Sequence, residues 1–214
     1  MRIGVFGGTF DPVHLGHLIL AEQCREQGRL DEVWFVPAGQ PPHKPHQAVS
    51  PFRHRAEMLR LATAGHAAFR VNELESERPG PSYTVDTLDE LRKAHPTAEW
   101  FFLVGSDTLA ELHEWRDPAG IVRRAGLLVM ARGDERVMSA DELRASLGLP
   151  EGERLSVEVV ATPRIEIASR DLRRRAAEGR SLRYLVPRAV ECYIGEKELY
   201  RDAAPTPRPP ASAG

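Results

Sequence analysis

Short apolar, β-rich runs alternate with helical patterns along nearly the whole chain, and that rhythm constrains the fold more than any other feature. Residues 2–6 form an apolar run that Gly7-Gly8 is expected to end in a sharp turn. Glu32-Val33-Trp34-Phe35-Val36 stops at Pro37, and Phe69-Arg70-Val71, Trp100-Phe101-Phe102-Leu103-Val104, Gly126-Leu127-Leu128-Val129-Met130 and Val157-Glu158-Val159-Val160 complete a set of six. Runs that are apolar at nearly every position suit strands covered on both faces. Helical patterns lie between them. One covers residues 15–28 with Leu15, Leu18, Ile19 and Ala21. The next opens with Ser50 as cap and Pro51 at the first helical position, and carries Met58, Leu59 and Ala62 on its apolar face. Residues 84–91 place Val85, Leu88 and Leu91 on one face. Residues 108–113, a strongly basic stretch over 169–179 and residues 187–199 supply the rest. Strands alternating with helices in this way predict right-handed crossovers and an α/β fold with a doubly wound, mostly parallel sheet. The expected unit is a single domain over residues 1–201 with a C-terminal helical portion, followed by a disordered tail over 202–214, rich in Pro and Ala.

Composition narrows the function. Lys and Arg number 29 against 31 Asp and Glu, so no strong basic field favours non-specific nucleic-acid or membrane binding. A chain of 214 residues with 42% hydrophobic content can build a core without staples. Cys24 and Cys192 belong to no C-x-x-C pair, so neither a disulfide framework nor a thiolate zinc cage is readable. No apolar run has the length of a membrane span, and the first strand meets Gly7-Gly8 too early for a signal-peptide core. The expected compartment is the cytoplasm; homo-oligomer formation is left open.

In doubly wound sheets, ligands bind beyond the carboxyl ends of strands. The unusual loops here follow strands. After the first comes Gly7-Gly8-Thr9-Phe10-Asp11-Pro12-Val13-His14-Leu15-Gly16-His17. Paired glycines let a ligand approach bare backbone, and a helix starting near His14 or Leu15 would turn its free N–H groups towards a phosphate. His14 and His17, three apart, share a helical face, and Gly16 leaves room for a flat group. There is no G-x-G-x-x-G and no G-K-[ST], which argues against hydride-transfer dinucleotide and P-loop enzymes. A plain helix cap with two surface histidines fits the same residues. His43-Lys44-Pro45-His46 makes a second H-x-x-H, but the lysine inside it and the lack of a carboxylate or thiolate partner argue against a metal site.

The segment from Gly7 to His17 resembles the H-x-G-H signature of the nucleotidyltransferase superfamily, whose second signature resembles Ile167-Ala168-Ser169-Arg170-Asp171-Leu172-Arg173. Together with Pro41-Pro42-His43-Lys44, Pro81-Ser82-Tyr83-Thr84, Gly105-Ser106-Asp107 and Trp115, the chain is similar to the bacterial nicotinate-nucleotide adenylyltransferases from Met1 to about Arg201. The resemblance implies a Rossmann-like nucleotidyltransferase fold. It also implies AMP transfer from ATP to nicotinate mononucleotide in NAD biosynthesis, with Mg²⁺ carried by the ATP phosphates and no protein metal ligands. By resemblance, His14, His17, Lys44 and Arg173 are catalytic. ATP would meet Gly7, Gly8, Thr9, Phe10, His14, His17, Gly105, Asp107, Ser169, Arg170 and Arg173. The nicotinate nucleotide would meet Lys44, Ser82, Tyr83, Thr84, Trp115 and Arg132. The backbone N–H groups of Tyr83 and Thr84, at a helix start, suit the nicotinate carboxylate, and Trp115 suits a stack on the pyridine ring.

The implied chemistry is in-line attack by an acceptor phosphate oxygen on the α-phosphorus, with release of pyrophosphate. The nucleophile is already an anion, so positioning and charge neutralisation are the protein's task. The late helix departs from the family pattern: Ala168 and Arg170 stand where hydroxyl residues are usual. Arg170 either replaces a phosphate contact or lies on a solvated basic face, and Asp107 either meets a nucleotide or caps the following helix. Two other readings remain at this point, a nucleotide sensor on the same fold and an adenylyltransferase for a different small phosphorylated acceptor.

Overall fold

The computed structural model describes residues 1–40, 49–133 and 136–201. In chain order the elements are β1 (Arg2–Gly8), α1 (Leu15–Gln27), β2 (Glu32–Pro37), α2 (Phe52–Thr63), β3 (Phe69–Val71), α3 (Thr84–Ala94), β4 (Glu99–Gly105), α4 (Ser106–Ala110), a 3₁₀ turn (Leu112–Glu114), α5 (Pro118–Arg124), β5 (Gly126–Arg132), α6 (Ala140–Ser146), β6 (Val157–Thr162), α7 (Ser169–Ala177) and α8 (Arg188–Glu196). All six strands are parallel, in the order β3-β2-β1-β4-β5-β6. This is the doubly wound order, reversing at β1/β4.

The continuous apolar runs are explained by two cores. Successive side chains of a strand point to opposite faces. Phe6, Val33, Phe35, Phe101, Leu103, Leu128 and Met130 therefore pack on one side with Ala21 and Cys24 of α1, Met58 and Leu59 of α2, and Val190 and Ile194 of α8. Ile3, Val5, Trp34, Val36, Phe102, Val104, Leu127 and Val129 pack on the other with Val85, Leu88 and Leu91 of α3 and with Ile121 and Val122 of α5.

The reversal opens a cleft. β1 pairs with β4 only from Arg2↔Glu99 to Val5↔Phe102, whereas its pairing with β2 runs on to Gly8↔Pro37. Beyond Val5 the two central strands part, and the last residues of β1 have β2 on one side and open space on the other.

Several expectations are corrected. Gly7 and Gly8 do not make the turn; they extend β1, because the ladder to β2 continues through them, and the turn falls at residues 9–12, where Phe10 has φ 50°. Ser50 does not cap α2, whose cap is Pro51; its N–H is instead drawn to Asp11 and its carbonyl to Arg55. The helix expected over 108–113 is α4 followed by the 3₁₀ turn, and the short helices α5 and α6 carry too few turns to announce themselves in the sequence. The tail over 202–214 lies outside the described residues.

The edge strand β6 carries an unusual clasp. Gln27, the last residue of α1, donates from Nε2 to the Ala161 carbonyl at 2.9 Å and accepts from the Ala161 N–H at 3.0 Å. No helix among the described residues is long and apolar enough to cross a membrane.

Leu88 is fully buried between α3 and the sheet. Leu88→Ala should lower the unfolding free energy by about 2–5 kcal/mol, read as a reduced urea midpoint with an unchanged slope.

Candidate active site

Two cavities lie at the carboxyl ends of the strands and share Gly7, Phe102 and Trp115. The first, about 480 Å³, is lined by Gly7, Gly8, Thr9, Glu75, Ser82, Tyr83, Thr84, Trp115 and Arg116, among others. The second, about 280 Å³, includes His14, Gly16, His17, Gly105, Asp107, Thr108, Arg132, Ile165 and Ile167.

His14 and His17 form a reciprocal cap at the start of α1. The His17 N–H donates to His14 Nδ1 at 3.3 Å, and the His14 N–H donates to His17 Nδ1 at 3.2 Å. The rings stack with centroids 3.6 Å apart. Both Nδ1 atoms are therefore acceptors, and each neutral ring carries its proton on Nε2, as a donor. Burial lowers the His14 pKa to about 4, and burial together with neighbouring His14 holds His17 well below the ordinary histidine range. The pair is not the surface cations of a simple helix cap. It supplies neutral hydrogen-bond donors.

Other expected donors are already committed. At the α1 start, the Leu15 N–H is taken by the Leu185 carbonyl and that of His17 by His14. Gly16 leaves little room there: a Cβ would stand 3.0 Å from His14 Nδ1 and 3.2 Å from Ile165 Cγ2 and would press on both. Phe10 does not line either cavity. It is 2% exposed and packs edge-on against Phe6, Phe35 and His17, so it braces the His17 ring from behind. Gly8 and Thr9 border the first cavity rather than the histidine cavity, and Arg132 borders the histidine cavity rather than the one with Tyr83. Asp107 does not cap α4; Gly105 is the cap, and the exposed Asp107 accepts from the Thr108 N–H at 2.9 Å within the first turn.

In the late helix, Ser169 Oγ donates to the Pro12 carbonyl at 2.8 Å and Arg173 Nη1 to the Asp11 carbonyl at 2.7 Å. These bonds seat the α7 start against the turn that follows β1. Arg170 is exposed on the same helix. Lys44 lies outside the described residues, as do His43 and His46.

The first cavity is built by α3. Tyr83 is its cap, and among the described residues the first helical N–H to find a main-chain acceptor is that of Asp86, which donates to the Tyr83 carbonyl. Trp115 stands at the wall shared by both cavities, 6.0 Å from Phe102 at 64°. Arg116 lies 4.5 Å over the Tyr83 ring. Sequence reasoning missed Arg116, Glu75 and Arg55. Arg116 could have been found beside Trp115; the other two are single charges inside ordinary helix and loop stretches, and only their burial marks them. Among the described residues no three His, Cys, Asp or Glu side chains gather as metal ligands.

Comparison with known proteins gives the family and the fold. The family description of cytidylyltransferase-like proteins matches residues 5–175. The "probable nicotinate-nucleotide adenylyltransferase" of Pelobacter propionicus is 44% identical over 214 residues, spanning 94% of this chain and 99% of that protein. Its namesake in Thermus thermophilus is 46% identical over 201 residues, spanning 94% and 100%. The chain belongs to the nicotinate-nucleotide adenylyltransferase branch of the cytidylyltransferase-like family. The solved structure of Plasmodium falciparum nicotinic acid mononucleotide adenylyltransferase complexed with NaAD superposes with a TM-score of 0.75 at 18% identity, covering 94% of this chain and 97% of that one. At that identity the likeness is one of fold, and it shows that the adenylyltransferase sheet and crossovers are shared across distant members.

Burial of His14 makes stability depend on pH. The folded state keeps His14 neutral down to a pKa of about 4, while the unfolded chain takes up the proton near 6.5. Its contribution is therefore full above about pH 6.5 and is lost as the pH falls towards 4. Urea midpoints measured across that window should fall in the wild type and fall less in His14→Asn, which retains a capping oxygen and cannot titrate.

Proposed function

We propose that this adenylyltransferase joins the AMP moiety of ATP to nicotinate mononucleotide, forming nicotinate adenine dinucleotide and releasing pyrophosphate, a step of NAD biosynthesis. The observation that carries the reading is the meeting of the two cavities at Gly7, Phe102 and Trp115, each of a different chemical character. One offers helix-start N–H groups, an aromatic wall and Arg116, which suit a carboxylate-bearing pyridine. The other offers two Nε2–H donors and the Ile165 and Ile167 side chains, which suit phosphates joined to a flat base.

Transfer requires the acceptor phosphate oxygen to bond to the α-phosphorus while the bond from that phosphorus to the β-phosphate bridging oxygen breaks. Gly7, without a side chain, lets the two nucleotides meet over β1. Neutral His14 and His17 donate hydrogen bonds to phosphate oxygens and compete poorly for a proton. Arg173, held on the Asp11 carbonyl, adds positive charge at the same turn, and Lys44 is assigned to the phosphates by resemblance. Arg132 is better assigned to the ATP side, whose cavity it lines. Asp107 is the single carboxylate lining the histidine cavity among the described residues, beside His14, His17 and Arg132, which fits a phosphate-borne Mg²⁺ rather than one caged by carboxylates; the ion would supply further charge neutralisation when bound. Residues 1–201 are taken as the working unit. The free thiols of buried Cys24 and exposed Cys192 suit a reducing cytoplasm.

A pyrophosphate-release assay with ATP and each mononucleotide tests the function. His17→Ala should lose turnover about 10²-fold or more while remaining folded, as expected when a preorganised donor is removed; near-normal turnover in a folded variant would remove His17 from the chemistry.

Nicotinate mononucleotide should be preferred over the nicotinamide form by roughly 10²-fold or more in kcat/KM. A carboxylate only accepts, whereas an amide turns an NH₂ against one of the N–H donors. Trp115→Ala should weaken both acceptors and change their ratio little. Equal use of both by the wild type would refute the carboxylate cradle, and a collapsed ratio in the variant would make Trp115 the discriminator.

A further inference from the structure

Arg55, on α2, lines neither cavity and is 2% exposed. Its guanidinium donates to three main-chain carbonyls from three segments: Nε to Ser50 at 3.0 Å, Nη1 to Thr9 at 3.0 Å and Nη2 to Gly39 at 3.3 Å. Two buried carboxylates complete the arrangement at the N–H groups of two of the same residues. Glu75 accepts the Gly39 N–H on Oε2 at 3.1 Å and the Thr87 hydroxyl on Oε1 at 2.5 Å. Asp11 accepts the Ser50 N–H on Oδ2 at 3.0 Å and the Tyr200 hydroxyl on Oδ1 at 2.7 Å. Gly39 and Ser50 are thus each held at the N–H by a carboxylate and at the carbonyl by one arginine.

The carbonyls are the link to chemistry. Thr9 and Glu75 line the first cavity, and Ser82, which also lines it, donates its N–H to the Gln40 carbonyl at 3.0 Å, next to Gly39. The wall of this cavity is therefore assembled from the β1–α1 turn, the end of β2 and the β3–α3 loop, three segments far apart in the chain. A fully buried cation is costly unless paired and hydrogen-bonded, and a plain packing role would be met by an apolar side chain.

We infer that Arg55 is a positioning residue for the acceptor nucleotide: its three-way fork, with Glu75 as counterweight, sets the spacing of the segments that form the acceptor wall. The inference rests on the assignment of that cavity to nicotinate mononucleotide. Lysine carries one compact charge and cannot reproduce a planar fork to three carbonyls. Wall segments displaced by about 1 Å lose fit to the acceptor, while the histidine cap is held separately by its own reciprocal bonds and by the Leu15 N–H on the Leu185 carbonyl.

The test measures dissociation constants of nicotinate mononucleotide and of ATP separately, by calorimetry, for the wild type and Arg55→Lys. The mononucleotide constant should rise about tenfold or more and the ATP constant stay within about twofold. A merely structural role moves both constants together or neither, and either result overturns the inference. Should Arg55→Lys not fold, Thr87→Val replaces it: this near-isosteric change lies outside both cavities and removes the hydroxyl from Glu75 Oε1, from the Tyr83 carbonyl and from Arg78. It should give a smaller, acceptor-only rise, and an unchanged acceptor constant overturns the inference. A wild type that binds ATP but not nicotinate mononucleotide overturns the acceptor assignment and this role with it. A wild type that binds both, with Arg55→Lys indistinguishable from it, overturns the role alone.

Discussion

The ladder between β1 and β4 ends at Val5 and Phe102, while the ladder between β1 and β2 runs three residues further. The crossovers impose this parting. From β1 the chain winds out to β2 and β3; it then returns to lay β4 on the opposite side of β1 and winds out to β5 and β6. The main chain of Gly7 and Gly8 is left with one bonded neighbour and one open flank. Each functional element borders that flank: the histidine cap on one side, α3 and Trp115 on the other, and the α7 start braced on the intervening turn.

Several polar groups of the site are already bonded within the chain. The two histidines satisfy each other's backbone and keep only Nε2 for a ligand. Ser169 and Arg173 spend bonds on the carbonyls of Pro12 and Asp11. Such bonds fix donors before a nucleotide arrives, so that little ordering remains to be done on binding. Rigidity of this kind follows from pairing side chains with main-chain groups, whose positions the sheet already dictates.

The strands were legible because burial on both faces writes continuous apolar runs, and Trp100 to Val104 shows it most plainly: its residues divide alternately between two cores, yet every one is apolar. The short helices α5 and α6 offered one or two turns each, too few for a period to emerge. Gly7-Gly8 misled as a turn because a glycine pair carries no sign of whether a neighbouring strand continues to pair with it. Of the site, His14 and His17 stood out by motif and spacing, whereas Tyr83, Thr84 and Trp115 were singled out by the family resemblance, since a turn into a helix start carries no ligand signal of its own. Phe10 was given to ATP by the family resemblance, whereas its ring is buried in the core against Phe6, Phe35 and His17. Arg55 and Glu75 were invisible, since a single charged residue in a helix or loop reads as surface until its burial is known.

The clasp between Gln27 and Ala161 bears on how this protein ends. A parallel sheet has no intrinsic last strand; each edge offers a neighbour the same main-chain donors and acceptors that its interior strands have used. At Ala161 one carboxamide imitates a peptide group, giving and taking one bond as another strand would. The outer rim is thereby answered from within the chain, by a side chain that cannot itself be extended. Finite size, in this sheet, is partly a property of one glutamine at the end of the first helix.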